Sequence, residues 1–283
     1  MSVLINSRAV WRGWLSLVVV LWFGLAACGG QNVASNTTST TATPRAAIRW
    51  SQTSAPQGVD VPGAQWLKIE GAGGASTNVQ VAAVVRPQGP GPFPLVVWLH
   101  GGQGFHVGDV SKAARLIPAG FMVLVGCWQR TPADATVYNG VSYQTIPCLH
   151  LIAGLDDAVR ALIDVGRQLP GVKNDAIGLF GVSSSGPLAL DFGSGTDIKA
   201  VVVDSTGTNG PSHVNAPVLM LGGTADPLVD IQLQRAYEQT LRQSGSTVEA
   251  HFYQGGIHGV TYFGDFQDDA IRRMIDFYLH YLK

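Results

Sequence analysis

The chain has 283 residues, of which 46% are hydrophobic and 13% charged, with 18 Lys+Arg against 19 Asp+Glu. This near-neutral balance excludes a nucleic-acid binder that neutralises phosphates with a basic stripe, and the apolar content excludes a disordered chain. A domain of this size hides about 70–75% of its unfolded surface and holds a core without staples.

Arg8 and Arg12 precede the apolar run 15–23, which ends at Leu25-Ala26-Ala27-Cys28. A basic start, a short apolar stretch and small residues before a cut site predict a secretory signal peptide over residues 1–27. The run is short of the ~20 apolar residues that a membrane span needs. Leu25-Ala26-Ala27-Cys28 resembles a bacterial lipobox. That resemblance implies cleavage before Cys28, lipidation of its thiol, and a cell-envelope lipoprotein whose folded part lies outside the cytoplasm. Stable anchoring takes two or more acyl chains. Gly29 to Pro44 is rich in Ser, Thr, Asn and Gly and reads as a flexible tether, with the boundary of the folded domain placed at residue 60. Two cysteines then remain, Cys127 and Cys148. In an oxidising compartment they form a disulfide on one reading; two buried thiols are the other.

Strands are predicted at 66–69 and 79–85, the second ended by Pro87. The continuous apolar runs 95–99 and 121–125 suit central strands covered on both faces. Leu151, Leu155, Ala158, Val159, Leu162 and Leu169 recur at helical spacing until Pro170-Gly171. A strand at 176–180 leads into a helix from Ser184, and strands follow at 200–203 and 218–221. Asp230 is placed as the N-cap of a helix over 231–243, with Gly245 beyond its end. A last strand at 248–252 and an amphipathic helix marked by Ile271, Ile275, Tyr278 and Leu282 close the chain. This alternation predicts an α/β fold. It has a mostly parallel, twisted sheet of about eight strands, an antiparallel edge, helices on both faces and no large cap domain. The stretch 128–147 lacks periodicity and is placed over the carboxyl edge of the sheet, where ligands bind in such folds. Its aromatics Trp128, Tyr138 and Tyr143 are candidate pocket residues.

Between one predicted strand and helix lies Gly181-Val182-Ser183-Ser184-Ser185-Gly186. A serine on a tight strand-to-helix turn stands clear of the sheet, and small residues are needed two before and two after it. Ser183 has Gly181 and Ser185 there; Ser184 has bulky Val182 and Ser185 has Pro187. Ser183 is therefore the candidate nucleophile, with Ser185 standing where the common pattern has glycine. The helix start aims N–H groups at the turn, so the Ser184 N–H is a candidate oxyanion donor. His100-Gly101-Gly102-Gln103-Gly104 follows a central strand, and its backbone offers Gln103 or Gly102 as second donor. A serine needs a base, and the base an orienting acid. Asp226 follows the strand 218–221 and His258 the strand 248–252, so both fall at the same edge as Ser183. Asp204, at the end of the strand 200–203, is the rival acid. His106, His150 and His213 follow no suitable strand, and His100 reads as structural. No metal-ligand spacing or P-loop is present.

His100-Gly101-Gly102, Gly181 to Gly186, Gly223-Thr224-Ala225-Asp226-Pro227 and Gly256-Ile257-His258 together resemble the α/β-hydrolase superfamily. The likeness is closest to its dienelactone-hydrolase-like and prolyl-oligopeptidase-like branches and spans about residues 65–283. It implies acyl transfer through an acyl-Ser183, with His258 as base then acid, Asp226 as orienting acid, and no cofactor. The partners expected are a small-molecule ester or peptide substrate and a membrane reached through lipidated Cys28, with no nucleic acid. An ester hydrolase leads; a serine peptidase, an acyltransferase and a non-catalytic binding lipoprotein are the competitors.

Overall fold

The computed structural model of the protein describes residues 47–72, 79–130, 137–138, 141–142, 144–148, 154–207 and 209–283. Cys28, the expected signal peptide and the expected tether up to Pro44 lie outside them. Within them the chain begins β1 (Arg49–Thr53), β2 (Gln65–Glu70), β3 (Val79–Val85), β4 (Phe93–Leu99), α1 (Val107–Ala113) and β5 (Met122–Gly126). A two-strand hairpin, β6 (Val137–Tyr138) and β7 (Val141–Ser142), precedes α2 (Leu155–Gln168) and β8 (Val172–Val182). Then come α3 (Gly186–Gly193), β9 (Ala200–Asp204), β10 (Val218–Gly223), α4 (Ile231–Gln243), β11 (Val248–Tyr253) and α5 (Gln267–Leu282).

Nine of these strands form one sheet in the order β1-β2-β3-β5-β4-β8-β9-β10-β11. The first three are antiparallel, and the six from β5 to β11 run parallel. The central strands alternate their side chains between two apolar layers. Leu95, Val97 and Leu99 face α2, α3 and α4, which contribute Leu162, Leu190 and Leu241. Val96 and Trp98 face α1 and α5, which contribute Val110, Met274 and Tyr278. Both faces of the sheet are therefore covered, which is why the sequence shows continuous apolar runs there rather than alternation.

One boundary differs from expectation. The sheet starts at Arg49, inside the segment assigned to the tether as far as residue 59, because Ile48 and Trp50 pack against the core. A polar strand with one apolar contact every second residue gives little signal on its own. Among the described residues the sheet holds nine strands, in keeping with the about eight expected plus this edge strand. The helix over 231–243 has the predicted bounds, and the Asp230 carboxylate accepts the Gln232 N–H at 2.8 Å, as an N-cap does.

Cys127 and Cys148 are joined in a disulfide. It closes a loop of 21 residues in sequence. Such closure stabilises by about 3 kcal/mol through restriction of the unfolded chain. It also ties the end of β5 to the strip 144–148, whose backbone pairs with Phe105, His106 and Val107.

Candidate active site

Parallel pairing sets the ends of β4, β8, β9, β10 and β11 along one edge. Leu99 is level with Gly181, Val182 with Asp204, Leu221 with Asp204, and Gly223 with Tyr253. The loops that leave these ends carry Gly102, Gln103, Ser183, Ser184, Asp226 and His258, and Asp204 ends β9 at the same edge.

Ser183 follows β8 and has φ = 56°, in the left-handed region, while Val182 before it is still extended. A non-glycine residue there carries strain of about 1–2 kcal/mol, which the surrounding structure must hold. Two neighbours hold it. A Cβ on Gly181 would meet the Ser185 carbonyl oxygen at 2.7 Å, so only glycine lets the turn close this tightly. Ser185 is fully buried; its Oγ accepts the Val182 N–H at 2.8 Å and lies 3.0 Å from both the Leu99 and Val182 carbonyl oxygens. The serine that replaces a glycine in the usual pattern is thus used to brace the turn against β4.

The candidate acid and the candidate base come from two loops in close contact. A Cβ on Gly223 would lie 2.0 Å from the Gly256 carbonyl oxygen. Ala225 N–H donates to that same oxygen at 2.9 Å, and Gly255 N–H donates to Thr224 Oγ1 at 2.8 Å. Asp226 Oδ2 then lies 2.8 Å from His258 Nδ1, with both side chains buried. Its other oxygen accepts the N–H groups of Leu228 and Val229 at 2.8 and 2.9 Å. Burial pushes the Asp226 carboxyl up, but the His258 bond and these two N–H groups outweigh it and leave it below its usual range.

Asp204, the rival acid, is engaged elsewhere. It is fully buried. Oδ2 accepts the Thr261 N–H at 2.8 Å and the Thr261 hydroxyl at 2.5 Å; Oδ1 accepts the Ser205 hydroxyl at 2.9 Å and the Val260 N–H at 3.2 Å. Ser205 Oγ in turn accepts the Gly259 N–H at 2.8 Å. These bonds clamp the three residues that follow His258. Burial dominates this carboxyl's titration and raises it, against the bonds that lower it.

Ser183 and His258 line one cavity of about 220 Å³, together with Gly102 and Gln103 from the loop after β4. Ser184 is exposed beside it; a Cβ on Gly102 would sit 3.5 Å from Ser184 Oγ. Of the aromatics expected at the pocket, Trp128 is instead buried behind the loop, its indole N–H donating to the His100 carbonyl at 2.9 Å. Tyr143 and the Tyr138 side chain lie outside the described residues. His106, set aside as a base, lines the cavity, as do Asp109 and Tyr262, which the sequence does not mark. His106 follows no strand end directly, and Asp109 and Tyr262 sit in no recognisable motif. Among the described residues no three His, Cys, Asp or Glu gather as a metal site.

His100 supports the loop from beneath. It is fully buried, stacks on Phe105, and its Nε2 has no hydrogen-bond partner among the described residues. Desolvation lowers its imidazole from 6.5 to about 4. The native protein therefore keeps this ring neutral where the unfolded chain already binds a proton, so stability is lost as pH falls from 6.5 towards 4. Between about pH 7 and pH 4.5 the loss from this group is on the order of 2 kcal/mol. Denaturant titration at both pH values should show that His100→Gln removes about that much of the pH dependence. An unchanged pH dependence would place the proton elsewhere.

The parallel sheet, the strained serine after β8 and the loops after β10 and β11 that bring Asp226 to His258 make this an α/β-hydrolase fold. The model of the dienelactone hydrolase family matches residues 81–277, and the chain belongs to that family. Membership makes it a hydrolase. Solved structures with the same fold include a proposed dienelactone hydrolase from Klebsiella pneumoniae (20% identity, 83% of this chain and 100% of that one, TM-score 0.61). A dienelactone hydrolase-like promiscuous phosphotriesterase from metagenomic libraries is similar at 15% identity (84% and 100%, TM-score 0.60). Acetyl xylan esterase 1 from a Thermoanaerobacterium species is similar at 17% identity (82% and 88%, TM-score 0.59). No curated protein matches the sequence.

Proposed function

We propose that the chain is a serine esterase that cleaves carboxylic esters through an acyl-enzyme on Ser183. The observation that carries this reading is the 2.8 Å bond between His258 Nδ1 and Asp226, made at the cavity that Ser183 also lines. Asp226 fixes the imidazole with a proton on Nδ1, leaving Nε2 as the base. Ser183 Oγ attacks the ester carbonyl as its proton passes to Nε2. The oxyanion is held by N–H groups of Ser184 and of Gln103 or Gly102. Collapse of this intermediate expels the alcohol, which takes the proton from His258. A water then repeats the sequence on the acyl-serine and frees the acid. Family membership supports the reading, since a lactone is an internal ester.

We also propose that the protein is exported and held at a membrane by a lipidated Cys28. The Leu25-Ala26-Ala27-Cys28 segment supports this, and a Cys127–Cys148 disulfide suits an oxidising compartment.

Stopped-flow hydrolysis of an aryl ester should release a burst of about one phenol per enzyme before the steady rate. The matched aminoacyl-proline amide should be cleaved at least about 100-fold more slowly, since the alcohol is the better leaving group. Comparable amide cleavage would favour a peptidase. Predominant transfer to an added alcohol over water would favour an acyltransferase.

A further inference from the structure

The cavity beside Ser183 has one polar wall that the proposed chemistry does not use. His106, just before α1, and Asp109 in its first turn line it with Tyr262. Asp109 is only 2% exposed. Its Oδ2 accepts the His106 backbone N–H at 2.7 Å and lies 3.6 Å from His106 Nδ1. Its Oδ1 accepts the Tyr262 hydroxyl at 2.6 Å, and that hydroxyl accepts the Trp98 indole N–H at 2.7 Å. Burial and the nearby Asp109 charge raise the Tyr262 phenol well above its usual value, so it stays a neutral donor. Both carboxylate oxygens are thus fixed by donors, and Asp109 lies in the wall of a cavity whose other walls include Val182, Leu228 and Phe263. Among the described residues lining it there is no Lys or Arg. In such a site water damps charge poorly, and a carboxylate on the arm beside Asp109 would meet like charge away from the oxyanion donors.

We propose that Asp109 makes this cavity charge-selective: it admits esters whose short acyl arm is neutral or cationic and rejects those that carry a carboxylate on that arm. The proposal rests on the esterase reading for placing the ester here. A short arm fits within the cavity's volume of about 220 Å³.

Equilibrium binding tests it apart from turnover. Ser183→Ala protein, which cannot be acylated, is titrated at about pH 8, above the ordinary imidazole range. The probes are three aryl esters of matched length: butyryl, 3-ammoniopropionyl and hemisuccinyl. The neutral and cationic esters should bind at least about tenfold more tightly than the anion. Asp109→Asn in the same background should bring the anion to within about threefold of the neutral ester. An anion that binds Ser183→Ala as tightly as the butyryl ester overturns the proposal, whether or not the Asp109 variant folds. So does an unchanged ratio in folded Asp109→Asn, or binding by none of the three. Should the predicted order of binding hold while the native protein hydrolyses no ester, charge selection stands and the esterase reading falls.

Discussion

Ser183→Ala is expected to lower kcat/KM for an aryl ester by about 10⁴- to 10⁶-fold while leaving the fold intact. The size follows from what is removed. Without Oγ there is no acyl-enzyme, and only the oxyanion donors and substrate binding remain to accelerate attack by water. The fold should survive because the turn is held by other groups, namely the close approach at Gly181 and the buried Ser185 hydroxyl. Alanine in the left-handed conformation costs no more than the serine it replaces by an amount that matters here. Steady-state kinetics with a melting curve on the same sample checks both halves. A variant with native melting and more than a tenth of the native rate would remove Ser183 from the chemistry.

The second large effect is expected at the pair His258 and Asp226. His258→Ala should approach the loss at Ser183, since nucleophile and base act as a unit and their losses do not add. Asp226→Asn should cost about 10⁴-fold in kcat, because an amide can turn the imidazole to the wrong tautomer and no longer balances its charge. Asp204→Asn provides the contrast. Its oxygens face donors from Thr261, Ser205 and Val260, so an NH₂ there opposes a donor. The expected cost is about 1–3 kcal/mol of stability, with a far smaller loss of kcat. If the two acids exchanged these phenotypes, Asp204 would be the orienting acid. Ser183→Ala, His258→Ala and the double variant, compared for kcat, show whether the two residues act together.

Much of the parallel half of the fold is legible in the residues because its strands are covered on both faces and read as apolar runs. The runs 95–99, 200–203 and 218–221 lie within β4, β9 and β10. The short α1 is not legible: seven residues show barely two turns, and its Asp109 and His106 look like ordinary polar loop residues. β1 is hidden for a related reason, since an edge strand buries little. At the site, strand-end positions point to the edge where Ser183, Asp226 and His258 sit, because the fold fixes where loops after parallel strands must emerge. The cavity's polar wall depends on a contact between Asp109 and Tyr262, 153 residues apart. No local pattern carries such a contact.

The most direct measurement is covalent labelling by a fluorophosphonate, followed by peptide mass mapping. A strained serine activated by His258 should take up one phosphonyl group, on the peptide that holds Ser183, and heat-denatured protein should take up none. A label mapped to another residue, or no label in folded protein that hydrolyses esters, would contradict the account.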